Sequence, residues 1–260
     1  MKINSLGFIG GGRITRIILN ALKNSSALPE VIKVSDVNPT ILNGIKERFA
    51  EITMTTGDNL SVIDVDLLFL AVHPQVIKDM ISQIKDMLRK DNIIISLAPK
   101  FTIKQIRELL GYDAKIVRMI PNANTYCNRG FNPISFGENI DADESKTLKD
   151  FFSKLGESPV VNEDILEAYA VITGMGPAYL WFQFKRLFEL GREFGMSDEE
   201  AKEAIFKMIS GAVYTLFKSG LSFEEVIDLI PVKPLSKYEA EIINIFDTKL
   251  REIYKNLVIK

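Results

Sequence analysis

The chain is poor in the residues that make redox and metal chemistry easy. Among 260 residues there is one cysteine, Cys127, and one histidine, His73. An internal disulfide is excluded, a histidine metal cluster is excluded, and a cysteine-based metal site is not expected. An excess of charge of one sign is also missing: 32 basic residues face 34 acidic ones, a net charge of -2. That balance disfavours nucleic acid, whose affinity comes mainly from clustered Lys and Arg on phosphates. No basic amphipathic segment points to a membrane surface. The most apolar run, Leu67 to Val72, is far shorter than a membrane span. The start, MKINSLGFIG, enters a strand-like pattern with no apolar leader or cleavage site. These absences lead to the expectation of a soluble cytoplasmic protein.

What is present is ordinary globular material, 47% apolar and 25% charged, enough for one large domain or two medium ones. The first half alternates short β-rich runs with helical patterns. Leu6–Ile9, Val31–Val34, Ile52–Thr55, Leu67–Val72, Ile93–Leu97 and Lys115–Met119 read as strands. Several are apolar almost throughout, as parallel strands covered on both faces are. Asn38-Pro39 reads as an N-cap followed by proline at the first helical position. Ile134–Phe136 and Pro159–Val161 extend the sheet or lead out of it. After about Asn162 the patterns turn helical. Gly176-Pro177 opens a long helix, and Ser197 with Glu200 and Ser222 with Glu225 form capping-box patterns. The expected fold is α/β: an N-terminal Rossmann-type doubly wound sheet over residues 1–160, then an all-α domain over 161–260.

The strongest local signal is Gly10-Gly11-Gly12, directly after the first strand and before a helix. Gly10 and Gly12 fit G-x-G-x-x-G, with Thr15 in the third position. Glycine there allows a tight turn and close backbone approach to a pyrophosphate, which the following helix N-terminus attracts. The strand–turn–helix context makes a ligand-free glycine turn the weaker reading. Asp36 ends the second strand, about 20 residues on, where an acid holds the ribose hydroxyls of NAD. Arg13 and Arg16 pull toward a phosphate instead. The expected cofactor is NAD(P)H, with a lean to NADH.

Five motifs together resemble the pyrroline-5-carboxylate reductase family: GFIGGGRIT, LAVHPQ (Leu70–Gln75), SLAPKFT (Ser96–Thr102), RMIPN (Arg118–Asn122) and ITGMGPAY (Ile172–Tyr179). Their family counterparts, after the glycine loop, are A-V-K-P-Q, S-I-A-A-G-I-T, R-x-M-P-N and L-S-G-S-G-P-A-Y. The resemblance implies a Rossmann domain followed by a helical domain that dimerises. It implies hydride transfer from NAD(P)H to the C=N bond of a cyclic imino acid. On that comparison Gly10, Gly11, Gly12, Arg13 and Ile14 form the cofactor loop. Asp36, Asn59, Val72, His73, Pro74 and Ala98 lie along the cofactor. Asn122 and Thr173 sit near the nicotinamide and substrate. In the family a loop S-P-G-G-T-T cradles the substrate carboxylate with backbone N–H groups and gives a threonine hydroxyl to the ring nitrogen; here Thr173 or Tyr179 is the candidate for that nitrogen. The implied partners are a small imino acid and further copies of the chain, as a homodimer or larger homo-oligomer.

The departures concern the substrate. The family's S-P-G-G-T-T becomes I-P-V-K-P-L, Ile230 to Leu235. Val232 and Lys233 replace both glycines, and Pro234 and Leu235 replace both threonines. Met175 replaces a serine, and Lys185 stands where glutamate is usual. Lys233 or Lys185 is then a candidate for a substrate carboxylate, against the plainer reading of solvated lysines. Two other readings stay open. A hydroxyacid dehydrogenase would need a lysine on the first helix of the second domain. Leu180 stands there, and Lys185 faces about 140° away by helical geometry. The alternative is a catalytically silent dinucleotide-binding regulatory or interaction protein. Cys127 has no redox partner, and Trp181, Phe182 and Phe184 read as core or interface packing.

Overall fold

The structure, a computed structural model, describes residues 2–258. Six strands, β1 (Ser5–Ile9), β2 (Val31–Asp36), β3 (Thr53–Thr56), β4 (Leu67–Leu70), β5 (Ile93–Ser96) and β6 (Lys115–Met119), pair in parallel in the order β3-β2-β1-β4-β5-β6. After β7 (Gly130–Phe131), β8 (Ile134–Phe136) adds to β6 antiparallel. Every residue of β4 and of β5 is buried, so the continuous apolar runs are explained by cover on both faces. Phe8 and Phe69 stack across β1 and β4 at 4.6 Å. Truncating a side chain here, as in Leu68→Ala, would cost about 2–5 kcal/mol.

The helices follow from their sequences. In α1 (Arg13–Asn24), Ile18, Leu19, Ala21 and Leu22 face the sheet while Arg13, Arg16 and Lys23 face outward. In α2 (Pro39–Lys46), the Asn38 side chain accepts from the Thr40 N–H and proline opens the first turn, as read from the sequence. Then come α3 (Ile77–Ile84), α4 (Ile103–Leu110), capped by a Thr102–Gln105 box, and α5 (Ala142–Phe152), capped by Asp141–Glu144.

The first compact unit does not end at residue 160. It comprises Met1–Met175 together with Tyr254–Lys260. After β9 (Gly156–Glu157), which pairs with β7, Val160 bridges Ile134. The stretch through α6 (Leu166–Tyr169) and a π-helical turn, Ala170–Gly174, then packs on the same unit. The reason is an ion triad centred on a buried arginine. Arg118, at the end of β6 and 1% exposed, donates to Glu163 Oε1 at 3.0 Å and to Glu167 Oε1 at 2.5 Å.

The second unit, Gly176–Ile253, is helical: α7 (Gly176–Glu193), α8 (Asp198–Lys218), α9 (Phe223–Asp228) and most of α10 (Glu239–Leu257). Both capping boxes read from the sequence, Ser197–Glu200 and Ser222–Glu225, are formed. This unit lacks a core of its own. No residue of α7 or α9 is buried, and only Ala201 is in α8. Trp181, Phe182, Phe206, Tyr214 and Phe217 are all more than half exposed. Among the described residues no helix is long and apolar enough to cross a membrane.

Candidate active site

Parallel strands of order 3-2-1-4-5-6 leave a crevice at their carboxyl ends where the order reverses, between β1 and β4. Such a crevice is present, with a volume of about 930 Å³. Its walls come from the turns after three strands: Gly12, Arg13 and Ile14 after β1, Ala71 to Gln75 and Lys78 after β4, and Pro99 to Phe101 after β5. Gln105 and Leu257 complete it. No aspartate or glutamate lines it among the described residues, whereas Arg13, Lys78 and Lys100 do. The crevice is therefore electropositive.

The three glycines play different parts. Gly10 has φ +103, and a Cβ on it would lie 2.4 Å from the Ala71 carbonyl oxygen. Its N–H donates to the Ser35 carbonyl at 2.7 Å. Gly10 is thus required by the protein itself. Gly11 packs against Ile41 and Ile45 of α2. A Cβ on Gly12 would meet nothing within 4 Å, so at this position the backbone lies bare to the crevice. Thr15, in the place of the third glycine, is fully buried and donates its hydroxyl to the Gly10 carbonyl at 2.5 Å. It ties the helix to the turn. No side chain caps α1, and no acid stands in its first turn. A bare glycine backbone, an uncapped helix N-terminus and basic walls fit a dinucleotide.

Asp36 lies at the end of β2 and outside the crevice lining. Its Oδ2 accepts from the Gly11 N–H at 2.7 Å and its Oδ1 from the Asn38 N–H at 2.8 Å. Asn59 accepts from the Ser35 hydroxyl at 3.0 Å, beside the same strand end. Val72, His73 and Pro74 line the crevice, with His73 Nδ1 accepting from the Gln75 N–H at 3.4 Å. Ala98 is buried directly before the Pro99 wall. The structure therefore gathers Gly12, Arg13, Ile14, Val72, His73 and Pro74 in one crevice. Gly10, Gly11, Asp36, Asn59 and Ala98 stand behind it.

The other candidates lie elsewhere. Asn122 is buried, and both ends of its amide are engaged: Oδ1 accepts from the Asn124 N–H at 3.0 Å, and Nδ2 donates to the Phe131 carbonyl at 3.3 Å. Thr173 sits in the π-helical turn and donates its hydroxyl to the Tyr169 carbonyl at 2.9 Å. Neither lines the crevice. Tyr179 belongs to the second unit, where it meets Phe246 edge-on at 6.1 Å, and burial pushes its phenol above the ordinary tyrosine range. The loop Ile230–Leu235 lies in that unit too. Val232 to Leu235 line an apolar cleft of about 450 Å³ with Ile227 and Ile243. Lys185 pairs with Glu189 at 2.9 Å on an exposed helix face.

Lys78 and Lys100 were not anticipated from the sequence. Lys100 has φ +73, which side-chain-bearing residues seldom adopt, and its N–H donates to Glu167 Oε1 at 3.3 Å. The signal was legible: SLAPKFT puts lysine where S-I-A-A-G-I-T has glycine.

Comparison with known proteins agrees in both halves. Residues 5–100 match the family described as NADP oxidoreductase coenzyme F420-dependent. Residues 163–233 match the family described as pyrroline-5-carboxylate reductase dimerisation. The pyrroline-5-carboxylate reductase of Staphylococcus aureus is 27% identical over 223 residues, 85% of this chain and 82% of that one. The structure of a pyrroline-5-carboxylate reductase from Coxiella burnetii has a TM-score of 0.70 and 27% identity, covering 99% of this chain and 95% of that one. The fold is shared with the Plasmodium falciparum pyrroline carboxylate reductase, solved with NADP bound, at a TM-score of 0.78 and 22% identity, over 99% of this chain and 96% of that one. Glycine turn, strand order, helical second unit and relatives converge: the chain is similar in both of its halves to the pyrroline-5-carboxylate reductases.

Proposed function

We propose that the protein is an NAD(P)H-dependent reductase of a cyclic imine or imino acid. The observation that carries this is the electropositive crevice at the β1–β4 switch point, bounded by the bare backbone of Gly12. When bound, the nicotinamide supplies a hydride to the C=N carbon. What the chain must add is positioning, because a protonated imine is already electrophilic. Gly12, Arg13 and Ile14 hold the pyrophosphate end. The Val72–Pro74 and Ala98–Lys100 turns form the walls beyond it.

Thr173 is suited to the imine nitrogen in one particular way. Its proton is directed to the Tyr169 carbonyl, so the oxygen presents lone pairs and accepts from an iminium N–H. The Asn122 amide, engaged at both ends, positions the turn after β6 rather than moving a proton. Tyr179, whose phenol burial pushes above the ordinary tyrosine range, is the second candidate for the nitrogen.

We assign NADH as the preferred cofactor. Asp36 places a carboxylate at the end of β2, where a 2′-phosphate would be repelled. The functional molecule is a homodimer or larger homo-oligomer formed through the second unit, whose large apolar side chains are exposed. The loop Ile230–Leu235 favours a second reading, a dinucleotide-binding protein without turnover, since it lacks the glycine and threonine donors. One experiment separates the two. NADH and NADPH oxidation are followed with a panel of cyclic imines, imino acids and keto acids. Turnover of a cyclic imine supports the reductase, and tight cofactor binding with no turnover supports the silent reading.

A further inference from the structure

Lys100 is a basic residue held in a conformation that glycine would adopt more cheaply. Its φ of +73 costs a side-chain-bearing residue stability, and such strain persists where a site needs it. The surroundings hold it there. The Lys100 N–H donates to Glu167 Oε1, and the Ile103 N–H donates to Glu163 Oε1 at 2.7 Å. Both carboxylates are gripped by the buried Arg118. The wall Pro99–Phe101 is therefore suspended from a fixed anchor, and the Lys100 side chain is exposed on the crevice. Among the described residues its ammonium forms no ion pair. The nearby Glu167 carboxylate is occupied by Arg118 and by the lysine's own backbone.

The strand order says which end of a ligand this charge meets. A dinucleotide's pyrophosphate lies at the α1 N-terminus after β1, and its adenosine ribose lies toward the acid after β2. Lys100 follows β5, on the opposite side of β1 and two strands away, about 10 Å at the usual strand spacing. That side is left for the hydride-donating end and the acceptor. Given the reductase reading above, on which this rests, we infer that Lys100 is a specificity-determining residue that receives the carboxylate of the imine substrate.

The test compares wild type, Lys100→Gly and Lys100→Arg. Glycine suits φ +73, so the first variant removes the charge without endangering the fold. Substrates are cyclic imines bearing a carboxylate, pyrroline-5-carboxylate and piperideine-2-carboxylate, against their carboxylate-free parents, 1-pyrroline and 1-piperideine. Loss of one charged contact should lower kcat/KM for the carboxylates roughly ten- to a hundredfold, mainly through KM. The parents should be unaffected, and Lys100→Arg should restore most of the loss. An equal effect on both classes overturns the inference. So does a loss that appears instead in NADH or NADPH affinity, which would assign the lysine to a cofactor phosphate. If wild type reduces no imine, the reductase reading fails by itself. Calorimetric binding of proline and pyrrolidine to the NADH-loaded protein then decides on Lys100, and unchanged proline affinity in Lys100→Gly overturns it.

Discussion

At the scale of single residues, the glycine turn separates what the fold needs from what the ligand needs. Gly10→Ala should destabilise the protein by about 1–3 kcal/mol, because the added carbon collides with the Ala71 carbonyl. Gly12→Val should leave the unfolding midpoint nearly unchanged and weaken NADH binding at least tenfold, since the new side chain fills only the crevice. Unaltered NADH affinity in a folded Gly12→Val protein would refute the proposed cofactor site. Asp36→Ala should shift the NADH-to-NADPH affinity ratio toward NADPH, read by fluorescence titration. Markedly tighter NADPH binding already in wild type would show that Arg13 or Arg16 outweighs Asp36. The glycine turn was readable in the sequence because its residues are contiguous and their backbone demands are local. Asp36 was found by spacing alone, but its bond to the Gly11 N–H was not. That contact depends on how closely β2 ends beside the turn.

At the scale of elements, all six parallel strands were legible to within two residues, and β4 and β5 most plainly, since strands buried on both faces are apolar almost throughout. The stretch from Asn162 to Met175 was not. Its helical pattern resembles that of the second unit, and periodicity reports a face without naming the surface it packs on. The deciding contacts join Arg118 to Glu163 and Glu167, 45 and 49 residues apart in sequence. This triad yields a prediction. Arg118→Met leaves the buried Glu167 and the half-buried Glu163 uncompensated and should cost about 3 kcal/mol in denaturant unfolding. Adding Glu167→Gln should recover part of that loss. A single variant as stable as wild type would mean that the triad does not hold the segment.

At the scale of the whole molecule, the second unit exposes more large apolar surface than a monomer keeps in water. Light scattering at micromolar concentration should give at least twice the 29.3 kDa chain mass. The unfolding midpoint should rise with protein concentration. A concentration-independent monomer would contradict the proposed assembly. The rewritten loop makes a further prediction. Pro234 has no N–H and Leu235 no hydroxyl, so on the proposed reading the donors of S-P-G-G-T-T are missing at these positions. Turnover of pyrroline-5-carboxylate should be weak, with kcat/KM at least a hundredfold below that of an ordinary family member. Parity would show that other residues have fully replaced the loop.

The crevice is bordered by Gly12 and also by Leu257, which is buried within the same unit. The ribosome delivers Gly12 some 245 residues before Leu257 (257 minus 12). At ordinary elongation rates the interval is on the order of ten to fifty seconds. For about the second half of that time the strands of the sheet have all been made, while one wall of its crevice has yet to be synthesised. The nascent chain thus carries a finished scaffold with an open side, and cofactor retention should begin only once Leu257 has been added.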